Sequence, residues 1–282
     1  MDIYAFLILV IGAFFHAFYN MAIKLSDNKV VQFAGMNVVY IIVALFFIPF
    51  VPFPSFEAWK FLFLASFLYV LVSIFLSYGY KRSDFSLAVP VLQGMKAIMV
   101  VFLSFMVFSE SLNFWEYIAI LGVFAGIFIQ VRFHELFKAA HIKSLLILSC
   151  AGCIGAMQFI VDIYAIRETE NPFTYFLYIH FMGFPIVLYA LARHRSELFS
   201  LLKNKSRLIG LGAVSDTVGY SAVLYVSYGI QILYVLPVTH LSMVFTTLIG
   251  VFYMKESYGW RRITAACIIA ISVVLMKIVS GS

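Results

Sequence analysis

From its first residues the sequence alternates between long apolar runs and brief polar interruptions. The runs are about twenty residues each, enough for a helix to cross roughly 30 Å of hydrocarbon. Ten can be drawn, over approximately 3–23, 31–51, 60–80, 86–108, 114–131, 145–165, 173–192, 208–229, 233–253 and 260–279. Ala, Leu, Gly and Met are spread through them, with no apolar/polar alternation of the barrel kind, so the pattern predicts helices. The longest connections, roughly 132–144 and 193–207, are too short for a soluble domain. The predicted fold class is an all-α polytopic membrane protein with ten transmembrane helices.

The polar punctuation repeats. Residues 77–129 contain Ser-Tyr-Gly, then Pro-Val opening a span, then Glu-Ser, then Trp before a last apolar helix; residues 227–276 contain the same series. The anchors pair Pro90 with Pro237, Glu110 with Glu256 and Trp115 with Trp260. A weaker echo relates "GAFFHAFYNMAIKLSDN" (12–28) to "GAMQFIVDIYAIRETEN" (155–171). The expected units are residues 1–134 and 143–282, each of five helices. An odd count turns the second unit upside down, and inverted repeats are a common plan of secondary transporters, with the substrate site near the midplane. Pro90 and Pro237 are expected near a first helical turn, where a missing N–H costs little. Glu110 and Glu256 are expected to accept backbone donors from the start of the following helix.

Composition sharpens this picture. The chain is 64% hydrophobic and 11% charged, against about 25% charged in soluble domains. Its net charge of +6 does not indicate a nucleic-acid groove, because the basic residues are scattered through short loops. They are also sorted by side. Odd-numbered loops and the start of span ten hold Lys24, Lys29, Lys81, Arg82, Arg132, Lys143, Arg193, Lys205, Lys255, Arg262 and several more. The other face holds only Lys60, Arg167 and Lys277. The positive-inside rule then puts both termini outside the cytoplasm, and the expected location is a bacterial cytoplasmic membrane. "MDIYAFLILV" lacks a basic leader and a small-residue cleavage site, so the first helix is expected to be retained. Cys150, Cys153 and Cys267 all fall in apolar spans. The CxxC of the first two lacks the further ligands of a zinc site, and neither metal nor cofactor is expected. Walker, HExxH and GxSxG motifs are absent, which argues against ATP drive and against an enzyme.

Against this background, ionisable groups at membrane depth are few. Lys96 stands in "PVLQGMKAIMVVFLSF", about ten residues and hence about 15 Å into its helix. A charge there costs at least about 2.5–3.5 kcal/mol. It must meet a wet cavity and an anionic substrate group, pair with Asp162 or Asp216, or lose its proton. Asp216 and Tyr220 share a helix face; Asp216 suits ammonium recognition or proton carriage, and Asp162 is a second proton-coupling candidate, one turn after Gln158. His16, Tyr19 and Asn20 form a stripe on the first helix, and Asn37 and Tyr40 a smaller one on the second. Gln93 lies one turn before Lys96. His240 lies three residues after Pro237, as Gln93 does after Pro90, so the repeat gives them equivalent depth. Singly, each is an ordinary interhelical hydrogen-bonding group; together they suggest a central polar site. His180 has no such support.

Five-plus-five helices, the Pro-led fourth helix and "FSESLNFWEYIAILGVFAG" together resemble the EamA-like branch of the drug/metabolite transporter superfamily. "YMKESYGWRRITAACIIAI" fits less closely, with Ala in place of Gly in the last helix. The resemblance covers essentially the whole chain. It implies a carrier of small organic metabolites, with a cavity lined by helices one, three, four, six, eight and nine. Many members have cytoplasmic termini, opposite to the charge sorting here. The expected function is alternating-access transport of a small polar metabolite, a zwitterion such as an amino acid, by proton coupling or exchange. In that reading Lys96 holds the carboxylate or phosphonate, Asp216 the ammonium, and His16, Tyr19, Asn20, Asn37, Gln93, Tyr220 and His240 complete the substrate site. An organic-anion or sugar-phosphate exchanger and a non-transporting membrane scaffold or sensor are the alternatives. The expected partners are a small-molecule substrate and the bilayer, not nucleic acid.

Overall fold

The computed structural model describes residues 1–80, 85–130, 139–168, 171–252 and 260–280. Glu256, Lys81, Arg82, Arg132, Lys138 and Lys255 lie outside these. Thirteen α-helices are described: α1 (Ile3–Leu25), α2 (Lys29–Phe47), α3 (Phe56–Tyr80), α4 (Phe85–Phe108), α5 (Phe114–Gln130), α6 (Ala139–Glu168), α7 (Pro172–Phe181), α8 (Phe184–Arg193), α9 (Arg195–Asn204), α10 (Ser206–Gly229), α11 (Ile232–Thr239), α12 (Leu241–Phe252) and α13 (Trp260–Val279). Nine helical segments among the described residues are long and apolar enough to cross a bilayer, and α5 is a further, shorter apolar helix. The chain is an all-α, multi-pass integral membrane protein.

Local chemistry fixes the helix ends. Asp2 caps α1 by accepting from the Ala5 N–H at 2.6 Å. Asn171 caps α7, whose first residue is Pro172, a place where the absent N–H is not missed. At α5, Asn113 and Glu116 exchange side-chain and backbone bonds, a capping box closed by Asn113 N–H on Glu116 Oε2 at 2.7 Å. Two spans predicted as continuous are broken. Span seven divides into α7 and α8 around Met182 and Gly183, and span nine divides into α11 and α12 at His240. Pro90 and Pro237 sit in the second turns of α4 and α11, one turn further in than expected. The connection 193–207 contains α9. It is tied to the first loop by Asn28 Nδ2 on Glu197 at 2.7 Å and by Lys205 on Asp27 at 2.9 Å.

Helix contacts come in exchanged pairs. α1 packs on α10 as α3 packs on α6; α1 packs on α12 as α4 packs on α6; α5 packs on α13 and α2 on α8. Close approach rests on small residues, as in other membrane bundles. Gly12 of α1 faces Gly219 and Ala222, while Gly212 faces Ala22, so α1 and α10 are antiparallel. Gly126 faces Ala265 and Ile269 and Gly122 faces Ser272, so α5 and α13 are antiparallel too. Gly152 is held by the backbone of α4 close to the polar groups. A Cβ there would lie 2.8 Å from the Leu92 carbonyl oxygen and 3.1 Å from the Lys96 amide nitrogen, backbone atoms that cannot give way.

Both termini lie on one face. The Met1 ammonium donates to the Ser280 carbonyl at 2.7 Å, and Lys277 donates to the Met1 carbonyl at 2.7 Å.

Candidate functional site

Between the helices lies a cavity of about 200 Å³, set off-centre toward the face opposite the termini. It draws on α1, α2, α3, α4, α6, the α7–α8 break and α10. The expected contribution of span nine is missing, and spans two and seven contribute instead. The break at Gly183 explains part of this. The Asn37 side chain occupies the space a Cβ at Gly183 would need, so α2 can press its polar face into the break.

Lys96 lines this cavity. Its ammonium lies 5.2 Å from the Phe159 ring centroid, a cation–π distance. Among the described residues it makes no ion pair or hydrogen bond. Asp162 and Asp216 act on it electrostatically but do not close a bridge. The costly charge therefore faces a cavity and an aromatic face, which is one of the few tolerable placements at that depth.

The two carboxylates differ. Asp216 lines the cavity, half-buried, with the Tyr40 hydroxyl donating to Oδ2 at 2.7 Å. Asp162 is fully buried behind the wall. There Tyr175 donates at 2.7 Å, Tyr220 donates to the other oxygen, and Gln158 adds a longer bond of 3.4 Å. A carboxylate so satisfied has little left to offer a ligand. Tyr220 and Gln158, its donors, do line the cavity.

His16 also lines the wall, its ring stacked on Tyr19 with centroids 5.0 Å apart. Asn20, Asn37, Gln93 and Tyr220 complete the predicted residues found there. Asn37 donates to Tyr69 Oη at 2.6 Å and to the Phe33 carbonyl at 2.8 Å. His240 is not in the lining. It is buried at the α11–α12 turn, where Nδ1–H donates to the Leu236 carbonyl at 2.8 Å and Nε2 finds no partner. His180, which had no sequence support, does line the cavity and meets Tyr40 edge-on at 4.9 Å. Sequence reasoning passed over Phe159. The echo between 12–28 and 155–171 could have found it, since it aligns His16 with Phe159 and Tyr19 with Asp162. Cys150 and Cys267 are exposed on the outside of the bundle and Cys153 is half-buried; all three are free thiols. Among the described residues no cluster of metal ligands occurs.

The terminal face is closed. Leu9, Leu62, Val100, Ile163, Ile166, Leu224 and Ile232 form part of one buried apolar cluster above the cavity. Beyond it, Ser109 takes a left-handed backbone (φ 52°) and turns Glu110 inward. The Glu110 carboxylate accepts the N–H groups of Ile232 at 2.8 Å and Leu233 at 3.1 Å, capping α11 rather than the following helix α5. Arg167 donates to the Ser227 and Ile230 carbonyls at 2.9 Å each, lies 3.6 Å from Glu110, and stacks over Phe108 at 4.6 Å.

A multi-pass helical bundle around a polar chamber, sealed at one face, is the architecture of a membrane transport protein. The family comparison agrees: the EamA-like transporter family model matches residues 3–132 and 142–278, and the chain belongs to that family. It is a membrane transporter and not an enzyme. No curated protein matches the chain. Among solved structures, one described as "Crystal structure of protein" covers 98% of this chain and 98% of its own, with a TM-score of 0.71 at 13% identity. That likeness concerns the fold alone.

Proposed function

We propose that this transporter carries a small zwitterion by alternating access of two inverted five-helix halves, 1–134 and 143–282. The observation that carries the reading is an unpaired Lys96 sharing one cavity with a half-exposed Asp216. Two opposite charges, kept in one hollow without neutralising each other, suit a ligand bearing both signs. Lys96 receives the carboxylate or phosphonate, Asp216 the ammonium, and His16, Tyr19, Asn20, Asn37, Gln93 and Tyr220 set orientation. Inversion is supported by the antiparallel course of α5 and α13 and by the exchanged contact pairs. Asp216 is the better candidate for proton coupling, since Asp162 is saturated by its three donors.

The basic loops support a topology with both termini outside the cytoplasm, so that the cavity faces the cytoplasm in the conformation described. Opening the other way requires release of Glu110 and Arg167.

The test is uptake and counterflow of candidate zwitterions in liposomes. Lys96→Ala should abolish transport while the purified protein keeps its helical content; transport at the wild-type rate would end the role assigned to Lys96. A second reading, exchange of organic anions or sugar phosphates, draws on the Tyr40 bond that already engages Asp216. Effective competition by amine-free analogues would favour it.

A further inference from the structure

The connecting helix α9 sorts its side chains onto three faces. Leu198, Leu201 and Leu202 pack inward on Val31, Ala34 and Ala190. Glu197, Ser200 and Asn204 turn toward the first loop, where they line a hollow with Asp27 and Asn28. The third face is a stripe of residues four apart, Arg195, Phe199 and Lys203. All three are exposed, and the Arg195 guanidinium lies 5.8 Å from the Phe199 ring centroid.

The charges on these faces are not balanced. Both carboxylates of the region are engaged by the protein: Asp27 by Lys205 at 2.9 Å, and Glu197 by His194 at 3.0 Å and by Asn28 at 2.7 Å. Arg193, Arg195, Lys203 and Arg207 are exposed and, among the described residues, have no carboxylate partner. Arg195 and Arg207 also stand in the first turns of α9 and α10, ends at which the helix dipole opposes a cation. They do not serve helix stability there, and an external anion would relieve the repulsion.

We infer that α9 lies in the headgroup layer and that its Arg195–Phe199–Lys203 stripe, with Arg193 and Arg207 beside it, binds anionic phospholipid. The apolar surface selects a lipid over a soluble anion. The side of α8 that bears Leu188, Tyr189 and Leu191 is exposed to within two residues of its end at Arg193. That helix therefore delivers the chain to the hydrocarbon boundary just where α9 starts. A ring flanked one turn away on each side by a cation suits this boundary: the ring enters the acyl edge while the cations meet phosphates. None of these residues lines the Lys96 chamber, so the inference stands whatever that chamber carries.

The experiment attaches a fluorophore at Ser196→Cys, an exposed position beside the stripe, in the full-length protein lacking Cys150, Cys153 and Cys267. The labelled protein is placed in phosphatidylcholine vesicles that contain nitroxide-labelled phosphatidylglycerol or nitroxide-labelled phosphatidylcholine as quencher. One cation close to an anionic surface contributes about fivefold in affinity, so phosphatidylglycerol should be preferred at the reporter by at least about fivefold. In Arg195→Gln/Lys203→Gln/Arg207→Gln the preference should fall below about twofold. These positions are exposed, and circular dichroism checks that the variant keeps its helices. Phe199→Ser should weaken quenching by both lipids and keep the preference, because the cations remain. Equal quenching by the two lipids before any of these changes, or a preference that survives loss of the three cations, overturns the proposal. Quenching by neither lipid overturns it too, and assigns the stripe to a soluble acidic partner.

Discussion

The two faces of the bundle treat charge in opposite ways. At the terminal face, the buried Glu110 and the half-buried Arg167 are both engaged: one caps α11, the other holds carbonyls at the end of α10, and they face each other at 3.6 Å. Toward the basic face, Lys96 is unpaired and Asn20, Gln93 and Gln130 lack partners among the described residues. Charges that hold helices together are satisfied by the protein itself. Groups proposed for a ligand are left under-satisfied, at a standing cost in stability. The contrast gives a physical means of separating gate from site without knowing the substrate.

Removing a charge should therefore destabilise at one face and stabilise at the other. The largest effect is expected for Glu110→Ala, which strands two buried N–H groups and the Arg167 guanidinium. It should lower unfolding stability by about 2–4 kcal/mol. In a background lacking Cys150, Cys153 and Cys267, it should also speed thiol labelling of a Ser227→Cys reporter at the closed face by more than about tenfold. Slow labelling in both would mean that Glu110 does not hold that face shut. Next comes Lys96→Met, which deletes a charge at membrane depth and should raise stability by about 1–3 kcal/mol while transport is lost. A destabilised Lys96→Met protein would show that Lys96 is structural and break the comparison. Tyr175→Phe sits between the two regions. It removes one of three bonds to Asp162 and should cost about 1–2 kcal/mol in thermal unfolding, with substrate affinity nearly unchanged. A large loss of affinity would bring Asp162 back as a coupling group.

The smallest effect belongs to Lys205→Ala. The Lys205 hydrogen bond and charge hold the exposed Asp27 carboxyl below its usual range. A depressed carboxyl contributes stability above its unfolded-state value and loses it as pH falls through the lower folded value. The pair therefore acts at neutral pH and fades only in acid. Because it is solvent-exposed, no resolvable shift in melting temperature is expected at pH 7.

Much of this protein was legible before any coordinates. Ten apolar runs, their polar punctuation and the repeated Pro-Val anchors led to the helical bundle and to the family. Lys96, Asp216 and the stripes on α1 and α2 were found because polar residues at bilayer depth are too costly to be accidental. Other features left no such trace. Span seven has Pro185 and Gly183 as hints of a break, but nothing local says that Asn37 fills the space beside Gly183. Gln93 and His240 match in register, yet only Gln93 reaches the cavity, because α4 runs on where α11 ends. The partner of Glu110 lies 122 residues away in sequence at Ile232, whereas sequence reasoning looked to the adjacent helix.

The sequence by itself determined the solvent, the series of apolar helices and the set of expensive polar groups. Those follow from transfer free energies, which each residue carries wherever it sits. Only the tertiary structure decided which of those groups are spent on the fold and which are left open. Satisfaction is a property of pairs, and the paired atoms come from helices far apart in the chain. Asp162 and Asp216 look alike as letters; three donors close around one, while one hydroxyl and an open cavity meet the other.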